Sequence, residues 1–372
     1  MAGIYIHIPF CKQKCTYCDF HFSTTFHAYR EEMITCICKE IQERSNYLSE
    51  TLLNSIYFGG GTPSLLSNIE IVQILSTIKA KFTLSATCEI TLEANPDDID
   101  EERLNSWKAN GINRLSIGLQ SFKESDLQWM NRAHSVEEAL KCVDLARKSG
   151  IINISVDLIY GLPNLSMEEW KTHIESVLAM EVQHVSAYCL TIEEKTALHH
   201  LVKSEKIVPA GEDEQSEQFI YLMERLKAAG FNHYEISNFG LPGYEAVHNA
   251  NYWKGAQYLG VGPSAHSFDG KSRQWNVSNN KLYLKNFEAN AYFEIEQLSL
   301  KDRWNELLLT GLRTSYGVKT DQLFAILEPS VDYFETLKEF KQNNWLIEAD
   351  GTLFLTSEGR LKADYIASEL FV

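Results

Sequence analysis

The chain has 372 residues, enough for one α/β barrel with additions or for two to three ordinary domains. Its 34 Lys and Arg against 50 Asp and Glu leave a formal charge of −16, which argues against an electrostatic grip on nucleic acid or anionic lipid across the whole surface. With 44% hydrophobic residues, 23% charged residues and only 8 prolines, a long disordered or low-complexity segment is excluded as well.

In chain order, apolar and β-branched runs fall at Ile4–Ile8, Ser55–Phe58, Cys88–Leu92, Arg114–Leu119, Ile154–Ile159 and His184–Leu190. Between them, Tyr29–Tyr47, Ile69–Phe82, Glu101–Asn110, Val136–Ser149 and Met167–Met180 carry apolar residues at helical spacing. Asp100, Ser135 and Ser166 are N-cap residue types, and Gly111 and Gly150 are C-caps. Strands alternating with helices in this way predict an α/β fold over residues 1–192, a partial (β/α)6 TIM-type barrel of parallel strands.

After Leu190 an acidic stretch (Glu193, Glu194, Glu205, Glu212, Asp213, Glu214, Glu217) leads into a helix from Glu214 to Ala229 and a strand from Tyr234 to Phe239. The segment from Gly240 to Asn280 is dense in Gly, Asn, His and aromatic residues, and is expected to lie over the barrel mouth within a unit 193–300 that completes the barrel. From Lys301, two helical patterns, Trp345–Ile347, a turn at Asp350-Gly351, Leu353–Thr356 and a last helix predict a small winged-helix-like α+β domain, 301–372.

Eight cysteines would suit a secreted disulfide framework only in a short chain with an apolar leader. Here Met1-Ala2-Gly3-Ile4-Tyr5 runs straight into His7 and Pro9, so the reducing cytoplasm is the expected compartment. No run approaches the roughly 18 apolar residues of a membrane span, so any membrane contact is expected to be peripheral. Cys11, Cys15 and Cys18 form C-x3-C-x2-C in the loop after the first strand, the end at which parallel barrels place their active sites. Three thiolates can hold zinc or three irons of a [4Fe-4S] cluster. Zinc would need a fourth ligand from His7, His21 or a distant Cys, whereas the cluster would leave one iron open to a small molecule. Gly59-Gly60-Gly61-Thr62-Pro63 follows the second strand, where bare backbone can approach a ligand, and Glu93, Gln120 and Asp157 sit at or near strand ends.

Cys11-Lys12-Gln13-Lys14-Cys15-Thr16-Tyr17-Cys18 resembles the C-x3-C-x-aromatic-C motif of radical S-adenosylmethionine (SAM) proteins. In that family SAM chelates the open iron and is cleaved to a 5′-deoxyadenosyl radical. The resemblance implies cluster ligation by Cys11, Cys15 and Cys18. It further implies SAM contacts from Tyr5, Tyr17, Gly60, Gly61, Thr62, Glu93, Gln120, Arg132, Asp157 and Thr191. Tyr5–Cys11, Tyr57–Ser64, Gly118–Phe122 and Asp157–Pro163 are similar to the group that contains oxygen-independent coproporphyrinogen III oxidase and the haem chaperones.

Two departures separate the branches. The oxidase pattern is C-x3-C-x2-C-x-C, but the position two after Cys18 is Phe20; the oxidase also has an N-terminal extension, and Cys11 stands close to the start of this chain. His248-Asn249-Ala250-Asn251-Tyr252-Trp253 is similar instead to the chaperone motif H-N-x-x-Y-W, which implies haem as cargo, with His248 as candidate axial ligand and Tyr252 or Trp253 against the porphyrin. His266 is a second imidazole candidate, read as a turn or core residue, and His199-His200 is read as solvated. The expected function is a haem chaperone that binds a [4Fe-4S] cluster and SAM and passes haem to an acceptor haemoprotein, with an electron donor as a further partner and no nucleic acid. The alternatives are the radical SAM decarboxylase and, more remotely, a zinc-stapled barrel.

Overall fold

The computed structural model describes residues 2–372. Its first part alternates strand and helix: β1 (Ala2–Ile8), α1 (Arg30–Glu43), β2 (Leu52–Gly60), α2 (Asn68–Lys81), β3 (Thr83–Ala94), α3 (Glu101–Ala109), β4 (Arg114–Gln120), α4 (Glu124–Trp129), α5 (Val136–Ser149), β5 (Asn153–Tyr160), α6 (Met167–Ala179) and β6 (His184–Cys189). Capping boxes start three of these helices, with Ser67 and Glu70, Ser135 and Glu138, and Ser166 and Glu169 bonding each other's backbone N–H. β1 through β6 are paired in chain order and in parallel. Ile4, Ile6 and Ile8 join the buried core beneath the helices, while Tyr5 and His7 alternate onto the other face with Tyr57. That inner face is polar, and it carries the site.

The middle of the chain adds α7 (Ala197–Lys203), α8 (Glu212–Ala228), β7 (Asn232–Glu235), β8 (Asn238–Gly240), α9 (Val247–Trp253), β9 (Gln257–Val261), β10 (His266–Phe268), β11 (Ser272–Asn276), α10 (Asn280–Phe287) and β12 (Phe293–Gln297). Two expectations are corrected here. The segment from Gly240 to Asn280 is not simply a cover over the mouth: β9 pairs in parallel with β1, and β10, β11 and β12 extend that edge antiparallel. Leu259 and Val261 are fully buried, so apolar burial rather than loop function decides its course. The single strand expected at Tyr234–Phe239 is two short strands, β8 lying antiparallel beside β6 and β7 beside β8. The sheet therefore runs β12-β11-β10-β9-β1-β2-β3-β4-β5-β6-β8-β7, an open part-barrel with two ends. Phe219, Leu222, Leu259 and Tyr283 share one core with β1–β6, so residues 193–300 do not form a separate body.

A second core gathers Trp304, Leu308, Leu337, Leu353 and Ile366 from the last part of the chain: α11 (Leu300–Leu312), β13 (Val318–Lys319), α12 (Thr320–Phe324), α13 (Val331–Gln342), β14 (Leu346–Ala349), β15 (Thr352–Leu355), α14 (Ser357–Arg360) and α15 (Ala363–Glu369). Asp350 and Gly351 both take positive φ (49° and 70°), the geometry of a two-residue turn that matches strand twist. Ile236 packs against both cores. No described helix is long and apolar enough to cross a membrane.

Candidate cofactor site

The cysteine loop leaves β1 at its C-terminal end and is pinned on two sides. Cys11 N–H donates to the Ser23 carbonyl (3.1 Å) and Ser23 N–H to that of Pro9 (2.9 Å). Across the loop, Thr16 N–H reaches the Met130 carbonyl (3.1 Å) and the Asn131 side-chain amide donates to the Lys14 carbonyl (2.8 Å). The segment after α4 is thus tied to the loop, which brings Arg132 to the sulfurs. Thr62 Oγ1 donates to Cys11 Sγ (3.4 Å) and Arg132 Nη1 to Cys15 Sγ (3.6 Å). Burial pushes the Cys11 thiol up to about 12 and Cys18 to about 11, and the neighbouring thiols push in the same direction. Cys11 and Cys18 therefore hold their protons until a metal displaces them. Among the described residues no three His, Cys, Asp or Glu side chains stand together as a preformed metal cage.

The donor set fits an iron-sulfur cluster: soft thiols, a hydroxyl and a guanidinium aimed at sulfur, and no fourth cysteine in the loop. It fits zinc poorly, because both nearby imidazoles bond elsewhere. His7 Nε2 donates to the His21 carbonyl (2.8 Å) and His21 Nε2 to Asn280 Oδ1 (2.7 Å).

The glycine run after β2 is shaped by the same loop. Gly61 N–H donates to the Ile8 carbonyl (2.9 Å), and a Cβ on Gly61 would lie 2.6 Å from the Phe10 carbonyl oxygen. Gly60 has φ of +106°, and its Cβ would meet the His7 ring at 2.6 Å, so neither position admits a side chain. Gly60 N–H and the Tyr57 hydroxyl both donate to the Glu93 carboxylate (3.1 and 2.8 Å). Burial nevertheless lifts Glu93 to about 7, and the charge of Asp157 adds to the rise. Asp157 is lifted by burial to about 6 although the Ser116 hydroxyl donates to it (3.2 Å).

A slip in the β4–β5 register between Gly118 and Gln120, with φ of +68° at Gln120, re-aims that amide. A Cβ at Gly118 would stand 2.7 Å from Gln120 Nε2 and 3.3 Å from Arg132 Nη2. Arg132 Nη2 donates to the Gly118 carbonyl (2.9 Å) and to Asn95 Oδ1 (2.7 Å), while its buried Nε has no partner. Tyr17 lies beside Arg132 and Cys15, its hydroxyl pushed up by burial. Of the expected positions, Thr191 alone is exposed and has no side-chain hydrogen bond. The others gather at one end of the part-barrel, offering carboxyls, an amide, a guanidinium and phenols, the groups that recognise a ligand carrying ammonium, carboxylate and ribose hydroxyls.

Beneath them lies a floor that periodicity does not disclose. His248 is 2% exposed, its Nδ1 bonded to Ser55 Oγ (2.9 Å) and its Nε2 to the Tyr252 hydroxyl (2.9 Å). Its ring stacks on Tyr57 at 5.1 Å, and burial holds it down at about 3. In this conformation neither ring nitrogen is open to an iron. Trp253 instead lies under Arg313, the residue just after α11, 5.5 Å from the guanidinium. Glu89 accepts from Val247 N–H (3.1 Å) and His248 N–H (3.2 Å), capping α9, and stands 3.9 Å from the buried Arg114. Glu89 and Arg114 were visible as charges inside apolar strand runs, a signal of inward polar positions. His266 is an exposed strand residue of β10 rather than a turn or core residue, and His199 and His200 lie on α7.

A family model described as the radical SAM superfamily matches residues 5–177, and one described as the HemN C-terminal domain matches residues 298–361. The chain is 31% identical to the haem chaperone HemW of Bacillus subtilis over 97% of each chain. It is 33% identical to that of Lactococcus lactis over 95% of this chain and 93% of the other. The chain belongs to the HemW family of radical SAM proteins. HemW similarity spans the cysteine loop, the polar inner face and the C-terminal core. The solved structure of Escherichia coli coproporphyrinogen III oxidase (HemN), described as a radical SAM enzyme, superposes with a TM-score of 0.86 at 20% identity. It covers 100% of this chain and 90% of that one, a likeness of fold.

Proposed function

We propose that this protein is a haem chaperone: it binds a [4Fe-4S] cluster through Cys11, Cys15 and Cys18, binds SAM above the inner face, and carries haem to an acceptor haemoprotein. The observation that carries this reading is the near-full-length match to curated proteins named haem chaperone HemW. When bound, the cluster and SAM supply one-electron chemistry at the open iron. The chain's own residues set the stage for it. Thr62 and Arg132 donate to sulfur, Tyr57 and Gly60 orient the Glu93 carboxylate, and the raised Glu93 and Asp157 can each hold a proton near neutrality. Tyr5, Tyr17, Gly61, Gln120 and Arg132 complete the SAM contacts in this reading, with Thr191 at the rim. Cytoplasmic location and an electron-donor partner belong to the same proposal.

The decarboxylase reading is not favoured, because the position of the fourth cysteine in the oxidase pattern holds Phe20. The test is anaerobic reconstitution followed by haem titration and an assay on coproporphyrinogen III with SAM and a reductant. Stoichiometric iron and sulfide, haem binding and no protoporphyrinogen are expected. Robust protoporphyrinogen formation would refute the chaperone reading, and one zinc without sulfide would refute the cluster.

A further inference from the structure

We propose that Tyr57 links the haem and SAM sites, so that haem taken up by His248 and SAM held at Glu93 each weaken the binding of the other; this rests on the haem-carrying reading above. One side chain touches both residues. The Tyr57 hydroxyl donates to Glu93 Oε1 (2.8 Å), and its ring stacks on the His248 imidazole, with 5.1 Å between centroids and 25° between planes. Tyr5 stacks on the same two rings, 6.0 Å from Tyr57 and 6.3 Å from His248. Gly59 lets the cluster close: a Cβ there would stand 2.8 Å from the Tyr5 ring, 2.9 Å from that of Tyr57 and 3.0 Å from Glu93 Oε1. Tyr57 is 8% exposed, so these packing neighbours rather than water fix its place.

The two ends of the link make opposite demands. At the SAM end, the Glu93 carboxylate is aimed by two donors, the Tyr57 hydroxyl and the Gly60 N–H (3.1 Å), so a ligand held by Glu93 gains from a Tyr57 kept where it is. At the haem end, His248 is buried and bonded through Nδ1 to Ser55 and through Nε2 to Tyr252. A ring so placed has no nitrogen to offer an iron, so ligation draws it away from these partners and off the Tyr57 face. Glu89 strengthens the connection. It stands four residues before Glu93 on the same face of β3 and accepts from His248 N–H (3.2 Å), so α9 hangs from the strand that carries the SAM carboxylate. Tyr57 without its stacking partner aims Glu93 less firmly, and SAM binds more weakly; by linkage, SAM weakens haem binding by the same factor. SAM loading then favours discharge of haem to an acceptor.

The test uses the anaerobically reconstituted full-length protein without reductant. SAM affinity is measured by equilibrium dialysis with and without saturating ferric haem, haem affinity by titration with and without saturating SAM, and iron and sulfide on every sample. The wild type should show about a tenfold weakening in each direction, within the roughly 5–150-fold usual for coupled sites. Tyr57→Phe keeps the ring and removes the hydroxyl. It should keep its cluster and bind SAM more weakly than wild type, at an affinity that haem changes by less than about twofold. A merely structural role would lower SAM affinity in Tyr57→Phe and leave the haem effect in place, which overturns Tyr57 as the link. Wild-type protein that binds the two ligands independently, or more tightly together, overturns the coupling and leaves the haem-carrying reading intact. A wild type that binds no haem overturns that reading and this proposal with it.

Discussion

Arg132 is the residue at which the parts of the site meet: one nitrogen donates to Cys15, another to Gly118 and Asn95, and Tyr17 lies alongside. Such a hub is hard to foresee, because its partners lie up to 117 residues away in sequence. The proposed cysteine ligands stand out in the sequence for the opposite reason, since C-x3-C-x2-C compresses three thiols into eight consecutive residues. His248 shows where local legibility ends. Its motif is contiguous, but its Nδ1 partner Ser55 is 193 residues distant, and that contact decides whether the ring is open. At this scale the prediction concerns sulfur. Cys15→Ser should abolish the cluster's visible absorption and most of the iron content after reconstitution. Cys142→Ser, at a thiol buried in α5 that donates to the Ala139 carbonyl, should keep both. A normal cluster in Cys15→Ser would remove that residue from the ligand set.

Among the elements, α9 is the one whose position is least self-sufficient. It has seven residues and no side-chain cap of its own, so the carboxylate of Glu89 on β3 does the capping from below. Glu89 also faces Arg114, which is 1% exposed and whose Nε and Nη1 lack hydrogen-bond partners. Removing the carboxylate would strand a buried cation and uncap the helix together. Glu89→Ala is therefore expected to lose about 3–5 kcal/mol in urea unfolding, the range for breaking a buried pair, and Glu89→Gln less, because its carbonyl can still accept one N–H. A loss below about 1 kcal/mol for Glu89→Ala would show that water satisfies Arg114 and that α9 is held from elsewhere. The helices of the first part were legible because their caps are local, as in Ser135 with Glu138. The short α4 and α7, of six and seven residues, offer too few turns for an apolar stripe to register. β9 escaped because an aromatic, glycine-rich stretch reads as loop until the neighbouring β1 edge needs a partner.

For the whole molecule, the alternation of strand and helix disclosed the part-barrel, and the Asp350-Gly351 turn disclosed the C-terminal unit. The polar inner face was less visible, because residues of opposite character share each strand and only closure of the sheet sorts them. The buried imidazoles, on that face and elsewhere in the fold, have a consequence in acid. Burial holds His7, His134 and His173 at about 4, His233 and His248 at about 3, and His184 well below its usual 6.5. Between pH 6.5 and about 4 the unfolded chain binds protons at these six positions that the fold refuses, so their contribution is complete above pH 6.5 and is lost as the pH falls. Buried carboxyls act in the opposite sense. Glu93 at about 7 and Asp157 at about 6 take up protons in the fold while their unfolded counterparts, near 4.5 and 3.8, are still ionised. Asp126 and Glu235 are also raised by burial and His266 is also lowered by it, so four raised carboxyls oppose seven lowered imidazoles. The imidazoles prevail on number and on the size of their displacement. The unfolding free energy of the cofactor-free chain, from urea titrations, should therefore be highest at or above pH 7 and fall steadily from pH 6.5 to 4.5, by more than the roughly 1.4 kcal/mol that one unit of a single group represents. An unfolding free energy that rises toward pH 5 would mean that the carboxyls dominate and that several of these rings accept protons within the fold.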